Sequence, residues 1–170
     1  MKRIILLSGF SGTGKSYIAD IMQDKGWLSL AFADYLKDIV SKQYNIDRME
    51  LESQEGKKRM HQSGITHREI LIKTAIELKK KDIHFFSKYI LKQIIESKKD
   101  KIVISDMRYP HEFYFIKTKL NSQYDIQTLR VHRNIFNKIN DKSELSLESF
   151  NFDLNIYNDD TLLEQLDLII

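Results

Sequence analysis

Two apolar periods alternate along this chain. Ile4-Ile5-Leu6-Leu7 and Ile102-Val103-Ile104 are unbroken apolar runs, the pattern of strands buried on both faces. Residues 27–32, 128–131 and 153–157 are three further strand candidates. Between them the period changes to that of a helix. Residues 17–25 can form one, stopped by Gly26. Asp34 can cap another that runs to about Tyr44. Ile70, Leu71, Thr74 and Leu78, then Phe85, Phe86, Tyr89, Ile90 and Ile94, recur at helical spacing, and the lysine-rich stretch 79–82 is expected to break them into two helices. Helices are also predicted over 112–120 and 161–169. Residues 45–64 are polar and helix-prone, interrupted by Gly56 and Gly64, and 134–150 are polar, a helix with a loop. Strands alternating with helices imply an α/β fold around a parallel sheet covered on both faces. Ligands of such sheets bind at the carboxyl ends of the strands.

That rule directs attention to the residues just past each strand. After the first strand comes Gly9-Phe10-Ser11-Gly12-Thr13-Gly14-Lys15-Ser16, which fits the phosphate-binding pattern G-x-x-x-x-G-K-[ST] with no mismatch. Glycines 9, 12 and 14 let backbone N–H groups turn inward around a polyphosphate, and the following helix N-terminus adds partial positive charge. Lys15 is expected to reach the β- and γ-phosphates and the Ser16 hydroxyl to sit on Mg²⁺. Gly9, Ser11, Gly12, Thr13, Gly14, Lys15, Ser16 and Tyr17 are therefore the candidate ATP-binding residues.

Three other strand ends carry chemistry. Asp106, in Ser105-Asp106-Met107-Arg108, is placed to meet the Mg²⁺ shell, and Arg108 offers a planar fork for phosphates. In Phe32-Ala33-Asp34-Tyr35-Leu36-Lys37, Asp34 reads equally as a helix cap or as a group facing the phosphoryl acceptor. Lys37 reads equally as a surface lysine or as a phosphate contact. Arg130 and Arg133 flank the fourth strand end. The polar stretch after them is either a surface helix or a lid whose Arg133 neutralises charge on the transferring group. Asn137-Lys138 begins a guanine-recognition N-K-x-D, but Asn140 stands where the aspartate is needed and no D-x-x-G precedes it, which argues against a GTPase.

Composition narrows the setting. At 170 residues the chain has room for one domain with a real core, and it shows no repeat or linker. It has no cysteine, which excludes disulfides, thiolate zinc sites and cysteine nucleophiles, and fits a reducing cytoplasm. No apolar run approaches the ~20 residues that cross a bilayer, and Met1-Lys2-Arg3 leads straight into a strand rather than a signal peptide. A net charge of +3 is too balanced to indicate nucleic-acid binding. The lysine clusters at 57–59, 79–81 and 98–99 read first as solvated faces. The five histidines show no metal-ligand spacing.

Taken in order, these motifs resemble those of the deoxynucleoside monophosphate kinases of phages and some bacteria, over nearly the full length. The loop at residues 9–16 comes first, then Phe32-Ala33-Asp34-Tyr35-Leu36-Lys37, similar to F-A-D-P-L-K. Thr66-His67-Arg68-Glu69 and the stretch to Asp82 resemble a central P-R-x-L-L-Q-x-x-G helix. Ser105-Asp106-Met107-Arg108-Tyr109 with Glu112 matches D-x-R-[FY]-x-x-E, Ser143-Glu144 a lid-region S-E, and Asn158-Asp159-Asp160-Thr161-Leu162 an N-D-G-T-L before a last helix. Tyr35 and His67 replace prolines, Ile72 and Ala75 the glutamine and glycine, and Asp141 a histidine, so the base-reading part departs most.

The resemblance implies a single P-loop domain, three-layered, with a helical acceptor-binding region at about 45–100 and a lid at about 134–150. It implies transfer of the ATP γ-phosphoryl group, with Mg²⁺, to a deoxynucleoside 5′-monophosphate. Catalysis would rest on Lys15, Asp34, Arg108 and Arg133, acceptor binding on Asp34, Lys37, Arg68 and Arg108, and the metal on Ser16 and Asp106. The expected partners are small-molecule nucleotides, not nucleic acid or membrane, and a homodimer is left open. Two alternatives stand beside this reading: another small-molecule P-loop kinase, of dephospho-coenzyme A or phosphomevalonate type, and a non-catalytic nucleotide-binding module.

Overall fold

The structure is a computed structural model that describes residues 2–134 and 146–170. Five strands form one sheet: β1 (Arg3–Ser8), β2 (Leu28–Leu30), β3 (Lys101–Ile104), β4 (Asp125–His132) and β5 (Leu154–Tyr157). Their order is β2-β3-β1-β4-β5 and every pairing is parallel. The helices are α1 (Lys15–Asp24), α2 (Phe32–Tyr44), α3 (Gln54–Lys58), α4 (His67–Lys81), α5 (Phe85–Ser97), α6 (Pro110–Leu120) and α7 (Leu162–Asp167), with a 3-10 turn at Arg48–Leu51.

The apolar runs explain the middle of the sheet. Ile4, Ile5, Leu6, Leu7, Ile102, Val103 and Ile104 are fully buried. Alternate residues of a strand face opposite sides, so both faces need a cover. On one face Ile5, Leu7, Val103, Leu129, Val131 and Ile156 pack with Ile18, Ala19 and Met22 of α1 and Leu162 and Leu166 of α7. The other face is set by chain direction. The β1–β2 connection passes over β3 one way and the β3–β4 connection passes over β1 the other way. Right-handed crossovers running in opposite directions put α1 and α6 on opposite faces. On its own face α6 buries Phe113, Ile116 and Leu120. The three-layer α/β expectation holds. The reversal also makes the carboxyl ends of β1 and β3 the switch point of the sheet, where ligands of such folds bind.

The chain packs as two compact units, Met1–Ala31 with Ile90–Ile170, and Phe32–Tyr89. The first holds the sheet. The second is helical and has its own core of Val40, Ile46, Leu51, Ile70 and Leu71, flanked by Leu36, Tyr44 and Ile65. Its longest helix, α4, is fixed by a capping box: Glu69 accepts from the Thr66 N–H at 2.7 Å, and the Thr66 hydroxyl accepts from the Glu69 N–H at 3.2 Å. The predicted break after the lysine cluster is real. α4 ends at Lys81, and the Asp82 side chain turns to accept from the His84 N–H at 2.9 Å.

Several boundaries differ from the sequence reading. The second strand is only Leu28–Leu30, and Phe32 already opens α2. Asp34 therefore lies in the first turn of α2 instead of capping it. Trp27 is buried in the sheet core beside Met22, because Gly26 at φ 87 ends α1 and turns the chain inward. Residues 45–64 hold two short pieces, capped by Asp47 and Ser53. Gly56 there has a packing cause, since a Cβ would stand 2.2 Å from the Glu50 carbonyl oxygen. β4 starts at Asp125 rather than near Thr128, because its N–H donates to the Lys2 carbonyl at 2.8 Å and extends the ladder. The expected lid falls largely on 135–145, outside the described residues, and Asp141, Ser143 and Glu144 lie there. No helix among the described residues is long and apolar enough to cross a membrane.

Candidate active site

The loop after β1 needs its glycines. Gly12 and Gly14 sit at φ 82 and φ 96, where a side chain strains the backbone. A Cβ on Gly14 would lie 2.1 Å from Asn158 Nδ2, and one on Gly9 would lie 2.7 Å from the Val131 carbonyl oxygen.

The loop carbonyls are tied to the protein. Gly9 and Phe10 accept from Lys15 Nζ at 2.7 and 2.9 Å. Phe10 also accepts from the Thr13 N–H at 3.2 Å and the Thr13 hydroxyl at 2.9 Å. Thr13 in turn accepts from Asn158 Nδ2 at 2.8 Å, and Gly12 from Arg133 Nη1 at 3.4 Å. A trans peptide points its N–H opposite its C=O, so tying back the carbonyls aims the amides of the next residues the other way. α1 begins at Lys15 on a glycine cap, with no acidic residue in its first turn to fill the positive end. Lys15 is held against the same loop. These residues fit a polyphosphate with a cation at its side. Thr13 itself is a brace: it is buried, and both its N–H and its hydroxyl are spent on Phe10. Ser16 and Tyr17 lie exposed in the first turn of α1, and Ser11 is half-buried in the loop.

The turn after β3 meets this loop at the switch point. The Met107 N–H donates to the Leu7 carbonyl at 3.0 Å and the Ser105 N–H to the Leu30 carbonyl at 2.9 Å, which brings half-buried Asp106 to the ends of β1 and β2. Among the described residues no group of three His, Asp or Glu could hold a metal ion alone. A Mg²⁺ at Ser16 and Asp106 would thus take phosphate oxygens and water for its other ligands, as this ion commonly does. Arg108 is an exposed residue whose backbone is anchored. Buried Glu112 accepts from the Arg108 N–H at 2.8 Å and the Tyr109 N–H at 3.1 Å, and the Arg108 carbonyl accepts from the Ser146 hydroxyl.

Two residues here were named in the sequence, Arg130 at a strand end and Asn158 in a motif, but given no role in the site. Arg130 is buried in β4, donates to the Ser8 hydroxyl at 3.0 Å, and lies 4.9 Å from the Phe10 ring centre. An arginine inside an apolar strand is the signal that marks it. Asn158 entered only through the resemblance, because nothing in its local sequence reports a contact with Thr13.

The helical unit holds the acceptor candidates. Lys37 Nζ lies 3.3 Å from Asp34 Oδ1 and 2.6 Å from Glu52 Oε2. Arg48 joins the same cluster through Asp38 at 2.8 Å, Asp34 at 3.3 Å and Glu52. Burial pushes the Glu52 carboxyl up, but Lys37 and Arg48 outweigh that and hold it below the usual glutamate value. Lys37 is thus already neutralised and would have to exchange partners to meet a phosphate. Arg68 donates to the neutral amide oxygen of Gln54 at 2.5 Å. Tyr35 stacks on Tyr89 at 4.1 Å between ring centres and on Phe85 at 5.6 Å. Ile72, half exposed, offers this unit no hydrogen bond from its side chain.

No protein-family model matches the sequence, and no curated protein matches it significantly. Solved structures do match. TT1252 from Thermus thermophilus superposes with a TM-score of 0.57 at 14% identity, over 98% of this chain and 95% of that one. A sugar kinase from a Janibacter species, in unliganded form, gives 0.51 at 16% identity, over 99% and 96%. Likeness at these identities shows the fold. The chain shares with these structures an α/β fold built on a central parallel sheet flanked by helices.

Proposed function

We propose that the protein is an ATP-dependent small-molecule kinase and that its acceptor is a deoxynucleoside 5′-monophosphate. The observation that carries the kinase reading is the loop at residues 9–16, its carbonyls tied back by Lys15, Thr13, Arg133 and Asn158. ATP would supply the phosphoryl group, and Mg²⁺ would neutralise its charge. Lys15 would leave the Gly9 and Phe10 carbonyls for the phosphates. Ser16 and Asp106 would hold the metal. Arg108 and Arg133 would spread the charge that develops as the acceptor oxygen bonds to phosphorus and the bond to the leaving ADP breaks. No covalent enzyme intermediate is needed, and positioning with charge neutralisation suffices.

The acceptor class rests on the resemblance, which assigns Asp34, Lys37, Arg68 and Arg108 to it. One observation favours keeping a second class in view. Around Lys37 and Arg48 stand three carboxylates, those of Asp34, Asp38 and Glu52. A surplus of negative charge suits an acceptor hydroxyl better than a phosphate dianion, as in a kinase of the dephospho-coenzyme A type.

The test is ADP release, measured by a coupled assay, with the four common deoxynucleoside monophosphates and with dephospho-coenzyme A and phosphomevalonate. Turnover of one or more of the monophosphates, and none of their free nucleosides, supports the proposal. Turnover of a control alone moves the assignment to that acceptor. MgATP binding with no turnover on any of them means a nucleotide-binding module.

A further inference from the structure

We propose that Asn158 is a positioning residue of the phosphate loop, holding the Thr13–Gly14 peptide so that the Gly14 N–H faces the bound phosphates. This rests on the reading of that loop as a polyphosphate site.

Asn158 stands just past β5, two strands away from the loop it touches. Its own N–H donates to the His132 carbonyl at 2.8 Å, which fixes its backbone to the end of β4. Its side-chain Nδ2 donates to the Thr13 carbonyl at 2.8 Å. A carbonyl only accepts, so the amide nitrogen must be the end that faces Thr13. The rest of that peptide's setting is consistent. Thr13 is buried and spends its own donors on Phe10. Gly14 lacks the Cβ that would collide with Asn158 at 2.1 Å, so the glycine admits the amide as well as the left-handed turn. Because the peptide is planar and trans, holding Thr13 O on the Asn158 side directs Gly14 N–H to the opposite side. Without Asn158 that peptide is free to rotate, and a rotated carbonyl would point at the phosphates.

The test uses the full chain with Asn158→Ala and Asn158→Asp, and calorimetric Kd values for MgATP and for inorganic tripolyphosphate. Asn158→Ala should weaken both probes by the same factor, roughly threefold to tenfold for one lost hydrogen bond. Asn158→Asp sets a carboxylate against a carbonyl and should weaken both by about tenfold or more at about pH 8. Its deficit should shrink as the pH falls through about 4, the ordinary aspartate range, where a protonated carboxyl donates again. Melting temperatures check that both variants are folded.

A loss for MgATP with tripolyphosphate unchanged would place Asn158 at the base and overturn the proposal. So would two folded variants that bind both probes as wild type does, or an Asn158→Asp deficit that ignores pH. Wild-type protein that binds neither probe would instead overturn the reading of the loop itself.

Discussion

Lys15 is the residue on which the proposed chemistry depends most. Its ammonium rests on the Gly9 and Phe10 carbonyls, and it is not part of the sheet core. Lys15→Ala should therefore leave the fold intact and lower kcat by on the order of a hundredfold, the usual loss when one preorganised charge is removed from a transition state. Steady-state rates with far-UV dichroism as a control measure both, and near-wild-type turnover would remove the loop from the mechanism. Glu52 is a second single-residue case, with a pH signature. Its folded pKa lies below the ordinary 4.5, so its contribution is present above that value and lost as pH falls through the folded pKa. Thermal midpoints should therefore drop on acidification below about 4.5, and Glu52→Gln should flatten that part of the profile. Equal acid profiles for the two proteins would mean the Lys37–Glu52–Arg48 cluster contributes nothing measurable to stability.

At the scale of elements, α6 shows how a helix start serves a site. Pro110 sits in its first turn and Glu112 turns back to take the Arg108 and Tyr109 N–H groups. Glu112 is only 4% exposed, and without it both N–H groups would lose this carboxylate acceptor. Glu112→Ala should cost about 2 kcal/mol of stability, the usual range for hydrogen bonds to a charged group. It should also raise the acceptor KM, because the backbone that aims Arg108 is no longer held. Denaturant unfolding and acceptor titration report the two effects, and an unchanged midpoint would contradict the first. In the sequence Glu112 appeared only as the last residue of D-x-R-[FY]-x-x-E; its place three residues past Tyr109, the helix cap, is what sets it for this bond. The fate of Lys37 was not legible in the same way. Glu52 meets it from the end of a 3-10 turn that polar residues alone do not mark, and Arg48 in that turn shares the Glu52 carboxylate.

At the scale of the whole molecule, binding should show as stability. A ligand bound only by the folded chain adds roughly 2.7 kcal/mol at a hundredfold excess over its Kd. For a chain of 170 residues that is a rise of about 5–10 °C in melting temperature. MgATP should produce it, Lys15→Ala should diminish it, and EDTA should diminish it by removing the metal that Ser16 and Asp106 are proposed to hold. A melting curve indifferent to MgATP would contradict the proposed function.

What the sequence alone determined is local. The unbroken runs at 4–7 and 102–104 made buried parallel strands, because no other short element tolerates apolar residues on both faces. The octapeptide at 9–16 made a glycine-rich turn running into α1, because glycine spacing and the following helix are properties of neighbouring residues. The break after the lysine cluster and the capping box at Thr66 and Glu69 are local for the same reason. Only the tertiary structure decided which strands adjoin. The β2-β3-β1-β4-β5 order sets the turn with Asp106 beside the phosphate loop, and that order comes from crossover handedness and burial rather than from any segment. It also seated Asn158 against Thr13, 145 residues away in the chain, and gave Lys37 its carboxylate partners. A hydrogen bond or an ion pair depends on where two backbones have already been placed, and that placement is settled by the packing of the whole core.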